Sequence, residues 1–339
     1  MRVGSPDLTY NQSLRARRAL PLLAVAVGLS FLIALSFGSA NIDWATVVET
    51  FKTGSASFDH TVVMELRLPR AASAFVVGGM LALAGVLMQV LLRNPLADPY
   101  VLGISGGAAV AALLAMLLGW QSGLISTAAA GGAMLSMALV FTLARGRGDW
   151  SSTRLLLTGV VLAAGWGAGI SFILAVSPSS HLYSMLFWMM GDFGNSGPGY
   201  IRSILLGAGL ATTLLFARSL NLLSAGELRA EALGVHTLAV RLSIYSLASI
   251  LTAAAVTLAG TIGFVGLVVP HMVRLVTGSD HRIVLPSSVL LGGILLVLAE
   301  TLARTVLAPR MLPVGVITAF IGVPLFLYLL RRGSKRRAK

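Results

Sequence analysis

The side chains that could perform chemistry are few in this sequence and lie far apart. Cysteine is absent, and the five histidines fall in five different segments: His60, His181, His236, His271 and His281. A metal site needs several such ligands at short spacing, so we predict none. The sequence also lacks a P-loop for nucleotides and a Gly-x-Ser-x-Gly nucleophile motif. This pattern predicts a chain that is not an enzyme and holds no cofactor, so that any ATP and Mg²⁺ would bind a separate subunit.

Ionisable residues within long apolar stretches are nearly absent as well. Glu300 is the clearest case, and Arg304 follows one helical turn later, where an i,i+4 pair can neutralise it. Ion-driven carriers usually place acidic side chains near the membrane midplane. The sequence therefore favours a passive conduit worked by an external motor, and an ion-coupled secondary carrier of a bulky organic solute is the alternative.

The elements that position these residues are predicted to be membrane-spanning helices. Of the 339 residues, 56% are hydrophobic and 11% are charged, whereas soluble domains carry about 25% charged residues. A helix that crosses a bilayer needs about 20 apolar residues, so the sequence predicts an all-α polytopic membrane protein. The ten candidate stretches are 19–38, 71–92, 101–118, 124–144, 155–176, 201–217, 242–258, 262–276, 284–303 and 314–330.

The distribution of basic residues predicts the orientation of these helices. With ten spans both termini lie on one side, and that side receives 19 of the 25 Lys and Arg residues. Cytoplasmic loops are enriched in these residues, so we predict cytoplasmic tails at 1–18 and 333–339 around a single transmembrane domain at 19–332. The net charge of +13 then reflects topology and not nucleic-acid binding. The first stretch has the basic flank of a secretory signal, but its length favours an uncleaved anchor.

The long segment 39–70, predicted to lie outside, ends in the sequence RLPR at 67–70. Proline disfavours a helix at the residue before it, so we expect Pro69 to keep this end extended and to place Arg67 and Arg70 at the outer membrane face. One interpretation is interfacial snorkelling of two long cationic side chains. The other is a docking patch for an acidic partner outside the membrane.

The inside segment 93–99 contains two prolines within five residues and is followed by the glycine-rich sequence GISGG at 103–107. Asn94 and Asp98 can satisfy the backbone groups that such a turn leaves free. Glycines there allow close helix packing or irregular backbone along a cavity. The segment is therefore either an ordinary turn or a rigid constriction of a pore.

Two more segments are predicted to form short helices. The stretch 182–190 is apolar and aromatic but too short to span, so it would lie in or re-enter the outer leaflet, either as interfacial aromatics or as an adaptable, Met-rich surface around a bulky solute. In the inside loop 218–241, good helix formers lie between Gly226 and Gly234. This amphipathic helix is a solvated connector or sits in a groove on a cytoplasmic partner.

Further along, Gly260, Gly263 and Gly266 are spaced by three, so we expect them to line one face of the eighth span and to allow close helix packing.

Several of these motifs together resemble the FecCD-type permeases, the membrane subunits of bacterial ABC importers for iron-siderophores, haem and vitamin B12. The motifs are RLPR at 67–70, NPLADP at 94–99, LGISGG at 102–107, GFVGLVVPH at 263–271 and LPVGVIT at 312–318. The resemblance covers residues 60–332. The sequences STRLL at 152–156 and FWMMG at 187–191 are similar to the vitamin B12 branch, but they leave the substrate open among the three classes.

The resemblance implies an ABC type II importer permease in the bacterial inner membrane, in contact with membrane lipid. It implies a homodimer with a pathway along the dimer axis, two cytoplasmic ATPase subunits and a periplasmic substrate-binding protein. The site residues it implies are a cytoplasmic gate at Asn94, Leu96, Ser152 and Thr153; binding-protein docking at Arg67, Arg70 and Arg304; ATPase coupling at Gly226, Glu227, Ala230 and Gly234; and a pathway along Met185, Phe187, Trp188 and Met189.

Overall fold

The computed structural model describes residues 6–38, 42–53, 57–145, 151–194 and 200–337. Within these ranges the chain is helical and contains no strand. The helices are α1 Pro6–Ser36, α2 Trp44–Thr53, α3 Phe58–His60, α4 Leu68–Leu91, α5 Ile104–Leu117, α6 Ser122–Arg145, α7 Ser152–Val176, α8 Ser179–Met189, α9 Tyr200–Leu215, α10 Ala217–Ala225, α11 Glu227–Ala232, α12 Thr237–Ala259, α13 Val265–Thr277, α14 His281–Thr305 and α15 Val314–Arg337.

Each of the ten predicted apolar stretches coincides with a helix, which confirms the all-α membrane class. Six helical segments are long and apolar enough to cross a membrane individually, and α9 with α10 forms a seventh that is bent by 59°. The shorter apolar helices α5, α13 and α15 account for the remaining three stretches. The break between the seventh and eighth stretches is also present, as residues 260–264 between α12 and α13.

Helix α4 is the centre of the bundle, and it packs against α12, α13 and α14. Its side chains are almost entirely buried along its length. Close packing of its neighbours depends on glycine: a Cβ at Gly78 would lie 2.2 Å from the carbonyl oxygen of Gly292, and a Cβ at Gly85 would lie 2.0 Å from that of Gly266. Small residues let the backbones of membrane helices approach in this way.

Helix α7 lies at the edge of the bundle and is covered on one side only, mainly by α5 and α6. Its opposite face exposes large apolar side chains, among them Leu157, Val161 and Phe172. Such a face requires either lipid or another protein surface to cover it.

The expected extended segment before α4 is wrong. The helix runs from Phe58 to Leu91 without a break, and the part joining α3 to α4, Thr61–Arg67, has π-helical hydrogen bonding. Pro69 lies in the first turn of α4. The proline follows closely after the π-helical segment. The wider hydrogen bonding of that segment changes the register at this point, so the helix continues past a residue that has no N–H to donate. Helix α3 is started by Ser57, whose side chain accepts a hydrogen bond from the His60 N–H at 3.2 Å.

Helix α1 begins at Pro6, and its apolar, membrane-spanning part is Arg18–Ser36, close to the predicted stretch 19–38. The expected glycine face of the eighth span, in contrast, is wrong. Helix α13 begins at Val265, so only Gly266 of the three evenly spaced glycines lies on it. Gly260 and Gly263 precede the helix, and their spacing therefore does not describe one helical face.

Candidate functional site

The turn between α4 and α5 lies at the end of the bundle that also carries α11, which we call the α11 end. The Asn94 side-chain oxygen accepts a hydrogen bond from the Leu96 N–H at 2.9 Å. The Asp98 carboxylate accepts one from the Tyr100 N–H at 2.8 Å. The turn therefore satisfies its own backbone, as predicted. Asn94 and Leu96 are both exposed, so their side chains are free to face a partner or a passage.

Beyond this turn the chain enters the bundle through a short 3-10 helix, Pro99–Leu102, and Gly103, which has a φ of 73°. The carbonyl of Gly103 accepts a hydrogen bond from the Ser136 hydroxyl at 2.8 Å, and the indole N–H of Trp166 donates to the same hydroxyl at 2.9 Å. A Cβ at Gly107 would lie 2.5 Å from the carbonyl oxygen of Gly132. The glycine-rich sequence thus serves close packing of α5 on α6.

The second predicted gate segment adjoins the first. The Ser152 hydroxyl donates a hydrogen bond to the Leu91 carbonyl at 3.0 Å, which joins the start of α7 to the end of α4. Thr153 follows and is exposed. The structure brings the four predicted gate residues to one end of the bundle within a single chain, and their role as a gate stays a prediction.

Helix α11 lies between the two glycines, as predicted, and its leucine side chain faces outward. Leu228 and Leu233 are 82% and 63% exposed, whereas Ala230 is buried and anchors the helix. The two acidic residues make the polar contacts of the helix. Glu227 forms ion pairs with two arginines, and Glu231 accepts a hydrogen bond from the Thr237 hydroxyl at 2.8 Å. An apolar surface turned outward on a short helix is typical of a docking element.

The two arginines that pair with Glu227 come from different elements. Arg93, at the end of α4, contacts one carboxylate oxygen at 2.6 Å, and Arg241, on α12, contacts the other at 2.6 Å. The sequence placed Arg241 in a loop, but it is a nearly buried helical residue. A groove of about 1140 Å³ lies beside this cluster, between α11, the turn after α4 and the start of α7.

Asp98 has a perturbed acidity. It is half-buried, and its burial raises the pKa of the carboxyl group to about 6, although the hydrogen bond from the Tyr100 N–H opposes the shift.

At the opposite end of the bundle, which carries α8 and which we call the α8 end, the predicted docking arginines are divided. Arg67 is only 3% exposed, and its guanidinium donates to the carbonyls of Leu35 and Ser36 at 2.5 and 3.0 Å. Arg304 is 8% exposed and donates to the Ala34 carbonyl at 2.8 Å. The expectation that Arg67 lies on the surface is therefore wrong, and Arg304 is buried too.

Both of these arginines close the C-terminal end of α1. The last four carbonyls of a helix have no partner within the helix, and a cation near them is favourable. The third arginine, Arg70, remains partly exposed, 3.9 Å from Glu300. Glu300 also lies 3.6 Å from Arg304, which confirms the predicted i,i+4 pair.

Helix α8 is held by backbone hydrogen bonds at its C-terminal end. The Gly315 N–H donates to the Met190 carbonyl at 2.9 Å, and the Val314 N–H donates to the Gly191 carbonyl at 3.0 Å, both from the start of α15. The Asp192 N–H donates to the Ala259 carbonyl at 3.0 Å, at the end of α12. These bonds fix the helix between α12 and α15.

The side chains predicted to line a pathway on α8 differ in placement. Met185 is fully buried within the single chain and packs with Leu113 and Ile173, and its place on a passage stays a prediction. Phe187, Trp188 and Met189 are half-buried. The ring of Tyr183 stacks on that of Phe187, with centroids 5.8 Å apart, and is itself exposed.

One polar pair inside the bundle was missed by the sequence reasoning. Gln89, on α4, donates from its amide to the Leu267 carbonyl at 3.2 Å, and its amide oxygen accepts a hydrogen bond from Arg274 on α13. The signal was present, since Gln89 is the single polar side chain in the apolar run from 74 to 92. Among the described residues, no three His, Cys, Asp or Glu side chains are grouped so that they could hold a metal ion.

Comparison with known proteins decides the family. Residues 24–332 match the FecCD transport family. The chain belongs to this family. It is thus a membrane permease of a transport system, and members of this kind are transport subunits and not enzymes.

Individual relatives within this family are similar over nearly their whole length. The cobalamin import system permease protein of Halobacterium salinarum is 40% identical over 93% of this chain and 88% of its own. The hemin transport system permease protein of Yersinia pestis is 39% identical over 95% and 99%. A solved ABC transporter assigned to the metal-chelate type, in an inward-facing conformation, is 30% identical with a TM-score of 0.83, covering 93% of this chain and 99% of its own.

Proposed function

We propose that this FecCD-family chain is the permease subunit of an ATP-driven importer that moves a metal chelate from periplasm to cytoplasm across the bacterial inner membrane. Relatives that match at similar identity are named for cobalamin, hemin and ferric enterobactin. These three cargoes share a bulky organic ligand around a metal ion. The substrate class that fits all of them is a vitamin B12-like, haem or iron-siderophore chelate.

The observation that carries the proposal, together with the family match, is the pair of exposed leucines on α11 and directly after it. Leu228 and Leu233 face solvent at the α11 end, beside the groove formed with the predicted gate segments. Exposed leucines on a short helix suit insertion into a groove on a partner protein. We assign that partner as a cytoplasmic ATPase, one bound to each of two permease copies, which would hold the ATP and Mg²⁺.

In the described part of the chain, no spanning helix has an acidic residue near its centre, which supports an external motor. Glu300 lies at the α8 end and is paired with Arg70 and Arg304, so its charge is already compensated within the protein. Proton- or sodium-coupled carriers require an intramembrane acid that can exchange its ion. This arrangement favours the ATP-driven importer over the secondary carrier.

A second copy of the chain and a periplasmic binding protein complete the proposal. The uncovered apolar face of α7 suits a second copy across the dimer axis, with the passage between the two copies near α8 and α15. Arg70 is the docking residue we retain for acidic groups on the binding protein, because it is partly exposed. Arg67 and Arg304 would support the docking surface from beneath by holding α1.

The ATPase contact is tested by the substitution Leu228→Asp, with Leu228→Met as the matched control. A charge at the centre of an apolar contact leaves a desolvated, unpaired group, which costs about 2–4 kcal/mol, a loss of binding of about 30-fold or more. We expect Leu228→Asp to prevent co-purification with the cognate ATPase and Leu228→Met to retain it. Equal recovery of the ATPase by both variants would contradict the proposed contact.

A further inference from the structure

We infer that Glu227 is the positioning residue that transmits movement of α11 to both predicted gate segments. The inference rests on the proposed function and adds a specific mechanical link to it. The link is an ion-pair cluster of Glu227, Arg93 and Arg241, which joins three separate elements of the fold.

The geometry of the cluster makes Glu227 its centre. Each of its carboxylate oxygens contacts a different guanidinium: Oε2 lies 2.6 Å from Arg93 and Oε1 lies 2.6 Å from Arg241. Hydrogen bonds between ionised groups are short and strong, and the planar guanidinium fixes their direction. A shift of the carboxylate would therefore displace both arginines.

Arg93 leads directly to the first gate segment. It has φ of 49°, a left-handed conformation that usually falls to glycine at the end of a helix. Arginine is less stable than glycine in this backbone conformation. Its presence at this position therefore indicates a role for the guanidinium group. Asn94 and Leu96 follow on the same turn, and the Asn94 side chain closes that turn onto Leu96. Movement of Arg93 therefore moves the turn.

Arg241 leads to the second gate segment. Its other guanidinium nitrogen lies 3.4 Å from the Ser152 hydroxyl, and that hydroxyl donates to the Leu91 carbonyl at 3.0 Å. The start of α7 and the end of α4 are thus both within reach of the same cluster. The two predicted gate segments are connected through one carboxylate.

The backbone connections of α11 explain why a side-chain link is needed. The helix has only six residues and is bounded by Gly226 with φ of 130° and Gly234 with φ of 80°. Glycine is the most flexible residue at such positions, so a pivot of α11 at its two ends reaches the neighbouring helices mainly through side-chain contacts, which include the Glu231–Thr237 hydrogen bond. The ion pairs of Glu227 couple that pivot to α4 and α12.

The experiment uses the absence of cysteine in the chain. A single Leu96→Cys substitution serves as reporter in the complex with the cognate ATPase, and its rate of maleimide labelling is measured with and without ATP plus vanadate. We expect the nucleotide to change this rate about tenfold, the size of a typical coupling free energy. Glu227→Gln should abolish the change while ATPase binding is retained. Glu231→Gln, one turn later on the same helix, should preserve it.

A second variant keeps the test decisive if Glu227→Gln fails to assemble. Arg93→Gly removes the guanidinium at a position whose backbone suits glycine, so folding is retained, and it should also abolish the nucleotide response. The inference is overturned if Glu227→Gln keeps the full nucleotide response. If Glu227→Gln is not recovered, a full response in Arg93→Gly overturns it. No response in the Leu96→Cys parent would instead overturn the proposed ATP-driven function on which the inference rests.

Discussion

Single charged residues hold the ends of helices together in this molecule. Arg67 and Arg304 donate to three successive carbonyls, of Ala34, Leu35 and Ser36, at the end of α1. These carbonyls have no partner within the helix, and burial would make them costly if they stayed unpaired. The first span, whose own side chains are mostly exposed, is therefore attached to the bundle through arginines on α14 and on the π-helical segment before α4.

This role predicts the effect of removing one guanidinium. Arg67→Met keeps most of the side-chain volume but loses hydrogen bonds from a charged donor, which contribute about 1.5–3 kcal/mol. We expect a lower unfolding temperature in detergent or nanodiscs, followed by intrinsic tryptophan fluorescence. Arg70→Met, which removes a partly exposed guanidinium three residues away, serves as control and should cause a smaller decrease. Equal stability of both variants and the parent would contradict the proposed role of Arg67.

Asp98 predicts a dependence of stability on pH. Its folded-state pKa of about 6 lies above the ordinary value of 3.8, so the folded protein takes up a proton that the unfolded chain releases. Stability should therefore rise as pH falls from 7.5 through 6, with an effect on the order of 1 kcal/mol. Asp98→Asn retains the hydrogen-bond acceptor for Tyr100 but cannot ionise.

The measurement compares unfolding temperatures of the parent and Asp98→Asn at pH 7.5 and pH 5.5. The variant should be the more stable protein at pH 7.5, and the difference should diminish at pH 5.5. A parent protein that is less stable than the variant by the same amount at both values would show that the Asp98 carboxyl group does not titrate in this range.

At the scale of elements, the short helix α8 is positioned by contacts of its backbone. The junction between α12 and α13 passes directly beneath its end: Gly260 has φ of 66°, and a Cβ there would lie 2.0 Å from the Trp188 carbonyl oxygen. A residue with a Cβ at position 260 would be strained in this left-handed conformation. Its Cβ would also collide with a backbone carbonyl, which cannot move aside as a flexible side chain can.

Gly260 and Gly263 provide a matched pair of substitutions. Gly260→Ala combines a strained φ with a backbone collision, and we expect a loss of about 2–4 kcal/mol or failure to fold. Gly263→Ala meets nothing within 4 Å and should change stability by less than about 1 kcal/mol. Both are measured by the yield of monodisperse protein and the unfolding temperature. A tolerated Gly260→Ala would contradict the described junction.

The elements also show how far the sequence determines the structure. Hydrophobic length predicted a helix at each of the ten stretches, of which six, or seven with the bent pair, are long enough to span. The local contacts of Asn94 and Asp98 and the i,i+4 pair of Glu300 were predicted as well, because such contacts depend on local geometry alone. Contacts between distant segments were beyond this reasoning. Glu227 and Arg93 are 134 positions apart, and Gln89 and Arg274 are 185 apart, so their meeting depends on how the helices pack and rotate.

Pro69 and Met185 illustrate the same limit. The helix-breaking tendency of proline was read correctly but applied to a position where a helix tolerates it. The sequence predicted where Met185 lies along α8. It could not predict that Met185 lies on the face of α8 that packs against Leu113 and Ile173, because this depends on the packing of α5 and α7. Sequence spacing locates a residue along a helix more securely than around it.

For the whole molecule, the distribution of charge and of uncovered surface fits one part of a larger transport complex. The α11 end exposes leucines beside an ionic cluster, the α8 end retains a partly exposed Arg70, and α7 exposes an apolar face. Each surface has a different chemistry, and under the proposed function each would bind a different partner: an ATPase, an acidic binding protein and a second copy. In the proposed importer the energy for transport comes from the ATPase, since the permease sequence contains no P-loop.

The most direct test of the ATP-driven importer is uptake by proteoliposomes that contain the permease with its cognate ATPase. The binding protein and cyanocobalamin, haem or a ferric siderophore are supplied outside, and ATP is enclosed inside. We predict that one of the three chelates accumulates above its external concentration, and only when ATP, ATPase and binding protein are all present. Concentrative uptake by the permease alone, driven by a proton or sodium gradient, would contradict the account.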